Sequence, residues 1–161
     1  MAENIAAGLG RNLERAPRDS RRDRAREAGH LHPVADSRQD YTVEKDGLRF
    51  AATHVLAEFW GARHLDNVDV IEDAICSAAE AAGATVLHVH LHQFSSAGGV
   101  SGVAVLAESH ISIHTWPERE FAAVDIFMCG ACDPYKAVPA LRRALAPTSM
   151  QISEHKRGLF R

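Results

Sequence analysis

Apolar and polar positions divide the chain into two parts. Over residues 1–46, arginines are interleaved with carboxylates, and no aromatic residue occurs before Tyr41. Such a segment cannot bury enough apolar surface to offset the entropy lost when its chain is ordered. The mixed signs also argue against a basic arm for nucleic acid. We therefore predict a mostly disordered Arg-rich extension over residues 1–46 and one folded domain over residues 47–161.

In the second part, apolar residues recur with the periods of strands and of two helices. The first helix starts near Val68, with Asp66 and Asn67 as its cap and Gly83 after its last turn. A second amphipathic helix follows residues 133–134, where a proline suits the first helical position. The other apolar runs predict strands over residues 48–60, 85–94, 100–107, 109–115, 121–128 and 150–154.

The order of these elements, β-α-β-β-β-β-α-β, decides the fold class. Consecutive strands joined by short turns favour a mainly antiparallel sheet with both helices on one face. We therefore predict an α+β fold, a two-layer α/β sandwich. The other face of so apolar a sheet would lack a cover, which favours a partner subunit there.

Composition narrows the class of protein. The formal net charge of −3 at pH 7 gives no overall argument for a nucleic-acid partner. No apolar run approaches the roughly 20 residues that a membrane helix needs. The N-terminus lacks the apolar core of a signal peptide, and three cysteines cannot all pair within one chain. We therefore expect a cytoplasmic protein in a reducing compartment.

Two motifs predict functions of different classes. His88, His90 and His92 alternate along one predicted strand, and imidazoles on one strand face can bind a metal. Histidines on a sheet face or a dimer seam are the more ordinary interpretation. Cys129 and Cys132 form a Cys-x-x-Cys pair ahead of a capped helix, where a thiol pKa is lowered, so a thiol–disulfide module is a rival function. One useful cysteine with a chance neighbour is the alternative.

Residues 106–118 concentrate hydroxyls, imidazoles and carboxylates in one short segment. Its alternating isoleucines indicate a half-buried strand. An extended strand is too long for His114 to reach Ser109, so their contact requires a bend near Glu108. Bent, the segment is a catalytic cluster of nucleophile, base and carboxylate; extended, it is a polar strand.

Glu108 and Ser109 also permit self-cleavage. A serine hydroxyl on a strained bend can attack the carbonyl carbon of the preceding residue and convert the peptide to an ester. Removal of the serine α-proton then breaks the chain and leaves dehydroalanine, which hydrolyses to a pyruvoyl group. This ketone would act on an amine substrate as an electron sink.

Two pieces of the segment are specific, namely residues 108–110 (Glu-Ser-His) and residues 114–118 (His-Thr-Trp-Pro-Glu). They closely resemble the processing site of the bacterial and archaeal S-adenosylmethionine decarboxylase proenzymes. Further matches in the same order cover roughly residues 48–161, namely residues 54–59, 65–68, 83–85, 98–102, 125–130, 133–137 and 154–158. The resemblance implies a self-cleaving, pyruvoyl-dependent lyase that makes the aminopropyl donor for spermidine and other polyamines.

The resemblance also implies how the chain matures. Cleavage would fall between Glu108 and Ser109, so that a β chain ends at Glu108. The α chain would begin with the pyruvoyl group made from Ser109, which holds the substrate amine as a Schiff base. The family fold is an α/β sandwich whose active sites lie at the interface of a homodimer of cleaved protomers. S-adenosylmethionine is the implied substrate, and no metal is implied.

Five further roles are carried over by position. Ser101 matches the serine that assists ester formation, and His114 matches the histidine that removes the α-proton. Cys129 matches the cysteine that returns a proton to the substrate carbon. Phe94 matches a ring that stacks on the adenine, and Glu118 matches a carboxylate that holds the ribose hydroxyls.

Substrate identity has an alternative within the family. Some relatives decarboxylate ornithine or arginine with the same pyruvoyl machinery and could dispense with the adenosine contacts. Phe94 and Glu118 are both present here, which favours S-adenosylmethionine. The turn over residues 95–99 and the region of Cys132 depart from the family pattern, and the Arg-rich extension has no counterpart in short members.

Overall fold

The structure is a computed structural model that describes residues 41–96 and 98–160. Most of the extension predicted over residues 1–46 therefore lies outside the described residues. Strand β1 (Val43–Lys45) nevertheless precedes the predicted boundary at residue 47 and pairs with the start of β2 (Leu48–Trp60). The turn between them is Asp46-Gly47, with φ angles of 54° and 72°, as a type I′ hairpin requires. Ordered structure thus begins earlier than predicted.

Within the described residues, seven strands form one antiparallel sheet in the order β1-β2-β6-β5-β4-β3, and β7 pairs with β2. The other strands are β3 (Val86–Gln93), β4 (Val100–Leu106), β5 (Ser109–Trp116), β6 (Phe121–Cys129) and β7 (Ser149–Leu159). The last strand is much longer than the short one predicted over residues 150–154, because it follows β2 along nearly its whole length.

Two helices of the described chain cover one face of the sheet, as predicted. Helix α1 (Val68–Ala81) is capped by Asn67, whose side-chain oxygen accepts a hydrogen bond from the backbone N–H of Val70. Helix α2 (Ala137–Leu145) follows a short 3-10 helix, Pro134–Lys136. Their apolar faces join the strands in one core, which includes Ile71, Ile75, Val55, Ile111, Ile113, Ile126, Leu141 and Leu145. This is the α+β sandwich that the sequence predicts.

The opposite side of the sheet, which we call the open face, presents the alternate residues of the strands. Its three central rows follow from the strand registers. The rows are Glu58, Ala123, His114, Ser101 and His92; Leu56, Asp125, Ser112, Val103 and His90; and His54, Phe127, His110, Val105 and His88. The predicted sharing of one face by the three histidines of β3 is therefore confirmed.

Candidate active site

The segment with the reactive groups forms a tight hairpin. Strands β4 and β5 are joined by Ala107 and Glu108 alone, with Leu106 opposite Ser109. Ser109 has a φ of 148°, a value that residues with a side chain seldom adopt. Such a conformation costs on the order of 1–3 kcal/mol and persists only where neighbouring contacts impose it. The strained residue is the one whose hydroxyl would attack the preceding peptide.

The carbonyl oxygen of Glu108 is held by Cys129. The backbone N–H of Cys129 donates to it at 3.1 Å, and the thiol of the same residue lies 2.9 Å from it. Two donors on one carbonyl oxygen are the arrangement that stabilises a tetrahedral oxyanion. Attack by the hydroxyl of Ser109 on this carbonyl carbon would place negative charge on that oxygen.

The side chain of Glu108 is fixed by Thr85, a contact that sequence reasoning missed. The backbone N–H of Thr85 donates to one carboxylate oxygen at 2.8 Å, and its hydroxyl lies 3.4 Å from the other. The carbonyl of Thr85 accepts from the N–H of Ala107 at 2.9 Å. Thr85 thus holds both residues of the turn. Its position two residues after Gly83, in the short connection between α1 and β3, was the available signal.

A second cluster lies at the other end of β5. The hydroxyl of Ser101 and Nδ1 of His114 are 2.9 Å apart, and the two residues face each other across β4 and β5. His114 is exposed on the open face. Proton donor and acceptor in this pair depend on the histidine tautomer. The pair is suited to moving a proton at a reacting group placed above the sheet.

The structure does not bring these two clusters together in one chain. The predicted bend exists at Ala107 and Glu108, but it reverses the chain, and β5 then runs straight from Ser109 to Trp116. Ser109 and His114 are five positions apart along the strand, or roughly 17 Å. Of the two alternatives that the sequence leaves open, the structure has the extended strand, so His114 does not contact Ser109 within one chain. We call Glu108, Ser109 and Cys129 the processing half-site, and Ser101 with His114 the histidine half-site.

Phe94 and Glu118 lie at the end of the sheet that carries the histidine half-site. Phe94 follows β3, is 69% exposed, and its N–H donates to the carbonyl of Gly99 at 3.1 Å. Gly99 packs so closely on the carbonyl of Thr115 that a side chain would not fit. Glu118 is exposed in the 3-10 helix Pro117–Arg119 that follows β5. Both residues therefore flank the same rim of the open face.

The surroundings of Cys132 do not favour its thiolate. Cys132 is separated from α2 by the short 3-10 helix Pro134–Lys136, so it does not sit at the N-terminus of that helix. Burial raises the pKa of Cys132, and nearby Glu108 and Cys129 raise it further. Its thiol donates to the carbonyl of Gly83 at 3.3 Å. The prediction of a lowered thiol pKa is therefore wrong for Cys132, because burial and two nearby groups raise its pKa and the thiol does not sit at the helix N-terminus.

The described part of the chain shows neither a cluster of metal ligands nor a membrane-spanning helix. No group of three or more histidine, cysteine, aspartate or glutamate residues within it could hold a metal ion. On the neighbouring strand β4, the three histidines of β3 face Val105, Val103 and Ser101, none of which is a usual metal ligand. No helix of the described residues is long and apolar enough to cross a membrane.

A solved structure has a similar fold over most of the chain. The crystal structure of the adenosylmethionine decarboxylase from Aquifex aeolicus matches with a TM-score of 0.63 and 36% sequence identity. The match covers 70% of this chain and 94% of that one. The sandwich is therefore similar to the fold of that decarboxylase.

Sequence relatives agree with this class. A family model described as S-adenosylmethionine decarboxylase matches residues 53–158. The S-adenosylmethionine decarboxylase proenzyme of Thermomicrobium roseum is 42% identical over 114 residues, which are 70% of this chain and 98% of that protein. The proenzyme of Caldanaerobacter subterraneus is 48% identical over 110 residues, 66% of this chain and 88% of its own. The chain belongs to the S-adenosylmethionine decarboxylase family, a family of enzymes made as proenzymes.

Proposed function

We propose that the chain is a self-processing, pyruvoyl-dependent S-adenosylmethionine decarboxylase that supplies the aminopropyl donor for polyamine synthesis. One observation carries the proposal. The peptide between Glu108 and Ser109 combines a strained serine, at φ 148°, with a carbonyl oxygen that already accepts from the N–H of Cys129. Strain on the nucleophile and a prepared oxyanion site both favour attack within the chain.

Processing then uses groups of this protein and water. The hydroxyl oxygen of Ser109 bonds to the carbonyl carbon of Glu108, the peptide C–N bond breaks, and the released amine takes the proton. Cys129 stabilises the oxyanion formed on the way. Removal of the α-proton of residue 109, the role proposed for His114, expels the carboxylate of Glu108. The dehydroalanine left behind takes up water and loses ammonia, which leaves the pyruvoyl group.

His114 can perform this step only from a second copy. The histidine half-site lies roughly 17 Å from Ser109 along β5, whereas Cys129 of the processing half-site and His114 both belong to the open-face alternation of their strands. A homodimer that joins two open faces with their β5 strands running in opposite directions would bring the processing half-site of one protomer to the histidine half-site of the other. The missing cover over this face, which no described helix supplies, supports the same arrangement.

The same composite site would turn over the substrate. The pyruvoyl group, when present, supplies a ketone that withdraws electrons from the substrate carbon. Cys129 lies beside residue 109 and carries the thiol that we propose returns a proton to that carbon. Phe94 and Glu118 border the histidine half-site, where an adenine ring and ribose hydroxyls would bind. These contacts, and the names of the relatives, favour S-adenosylmethionine over ornithine or arginine.

We also propose that the enzyme works in the cytoplasm, because three cysteines cannot all pair in disulfides within one chain.

Intact mass under denaturing conditions tests the proposal. We expect two fragments that meet between Glu108 and Ser109, the smaller one with a keto group in place of its N-terminal amine. The Ser109→Ala protein should be a single chain without decarboxylase activity, and Ser112→Ala, a serine of the same strand, should still be cleaved. A Ser109→Ala protein that decarboxylates S-adenosylmethionine would contradict the mechanism. A cleaved wild-type enzyme that prefers ornithine or arginine would contradict the substrate alone.

A further inference from the structure

The two half-sites fix where a symmetry axis must lie. This argument rests on the proposed dimer, in which the processing half-site of each protomer meets the histidine half-site of its partner. Two sheets that join face to face through a two-fold axis have that axis in the plane between them. An axis that runs along the strands would place each half-site against the same half-site of the partner. Only an axis that runs across the strands exchanges the two ends of β5.

Such an axis crosses each strand midway between the half-sites. On β5 the midpoint between Ser109 and His114 falls next to Ser112. Strand β6 pairs Met128 with Ser109 and Ala123 with His114, so its midpoint falls at Asp125, which is opposite Ser112. Both midpoint residues are on the open face.

We propose that the two-fold axis of the dimer passes over Ser112 and Asp125, so that each Asp125 faces the Asp125 of the second copy. The contact is an isologous one, since the same residues meet on both sides. It defines the register of the two sheets, because a shift of one row would separate both pairs of half-sites at once. The carboxylate is thus a register determinant of the shared active site.

The surroundings of Asp125 suit a carboxylate that must meet another. The hydroxyl of Ser112 donates to Oδ2 at 3.1 Å, and Nε2 of His54 lies 3.4 Å from Oδ1. Arg157 lies 3.1 Å from Nδ1 of His54, which leaves the ring proton on the side of Asp125. His54 and His110 both pack against the ring of Phe127 in the next row.

These partners offset part of the cost of two facing carboxylates. His54 is 17% exposed and Asp125 is 37% exposed in the single chain, so the pair would lose most of its water when the open face is covered. Like charges that are desolvated together repel strongly, and hydrogen-bond donors on each side reduce that repulsion. The hydroxyl of Ser112, which donates to Asp125, and the nearby imidazole of His54 come from the two strands next to β6, one on each side.

A charge exchange at this position tests the proposal. Asp125→Lys and wild-type chains are expressed together with different tags, and native mass spectrometry counts the dimers. A mixed dimer would hold one ammonium and one carboxylate at the axis, whereas each homodimer would hold two like charges. We therefore expect the mixed dimer in about tenfold excess over random pairing. Glu80→Lys, an exposed change on α1, should pair at random with wild type. Random pairing of Asp125→Lys would overturn the proposal.

A second measurement covers the case in which Asp125→Lys does not fold. The Ser112→Cys protein, treated with a short bis-maleimide, should form a covalent dimer above the baseline of the parent with its native cysteines. Val105→Cys lies on the same face, two residues past Val103, the residue opposite Ser112 on β4. Its two copies would be farther apart by about 13 Å and should cross-link little. Equal cross-linking of the two variants would overturn the axis position. A monomeric protein would instead contradict the shared active site itself.

Discussion

The thiol of Cys129 and the carbonyl oxygen of Glu108 lie 2.9 Å apart, and the N–H of Cys129 donates to the same oxygen at 3.1 Å. One residue therefore holds the peptide that we propose is cut and carries the thiol proposed for turnover. The two functions can be tested separately, because replacing the side chain of Cys129 removes the thiol but keeps the backbone N–H.

Cys129→Ala should consequently affect the two reactions differently. Processing keeps the backbone donor and should slow by roughly tenfold, less than the 100-fold or more that loss of a strong oxyanion donor costs. Decarboxylation should fall by at least about 100-fold, because the proton donor is gone. Cleavage is followed on denaturing gels and turnover by release of carbon dioxide. Cys132→Ala is the matched control. A greater loss of decarboxylation in Cys132→Ala than in Cys129→Ala would mean that Cys129 is not the proton donor.

Two inactive variants should restore each other. Ser109→Ala has no nucleophile, and His114→Ala has no base for the α-proton. In a mixed dimer, Ser109 of one chain would meet His114 of the other, which completes one site of the two. Co-expression should therefore give cleavage of the His114→Ala chain only, detected by intact mass. A mixed dimer in which the His114→Ala chain stays uncleaved would show that the half-sites are not shared.

Thr115 should matter for stability more than its size suggests. It is buried, its hydroxyl accepts from the N–H of Val100 at 2.7 Å, and it donates to the carbonyl of Leu65 at 2.6 Å. Thr115→Val leaves both groups unsatisfied and should lower the free energy of unfolding by about 1–3 kcal/mol. Urea unfolding in the uncleaved Ser109→Ala background measures this. Thr115→Ser keeps the hydroxyl and should lose clearly less.

Tyr135 provides a prediction at alkaline pH. Its hydroxyl donates to Glu154 at 2.6 Å, and this bond, with burial, raises the pKa of Tyr135 from 10.0 to about 12. A raised pKa means stability that is complete below pH 10 and is lost as pH rises toward about 12. Ultraviolet titration resolves this residue, because Tyr41 is the only other tyrosine. Glu154→Gln should return Tyr135 toward its ordinary pKa; no change would contradict the contact.

Most of the fold follows from the apolar pattern. Strand periodicity located the six long strands, and the cap at Asn67 fixed the start of α1. Strand β1 was missed because it has only three residues and lies next to the polar extension. Its signal was the dipeptide Asp46-Gly47, a strong hairpin turn. The length of β7 could not be predicted, because its polar residues are held by pairing with β2 and not by burial.

The site was predictable in its residue types but not in its geometry. Spacing along the chain suggested that a bend could join Ser109 and His114, whereas pairing on both sides keeps β5 straight. The hydrogen bonds between Thr85 and Glu108 join residues 23 positions apart. They could be predicted only by knowing that β3 lies beside β4. The raised pKa of Cys132 depends on local burial, which a Cys-x-x-Cys spacing does not reveal.

The order of strands in the sheet has a consequence for the mature enzyme. A cut at the β4–β5 turn would leave β2, β3 and β4 on one fragment and β5, β6 and β7 on the other. Because β2 pairs with both β6 and β7, the fragments interleave, and neither could form the sheet alone. The proenzyme would fold as a single chain, but the processed protein could refold only by a bimolecular encounter. Maturation would thus make unfolding effectively irreversible at low concentration.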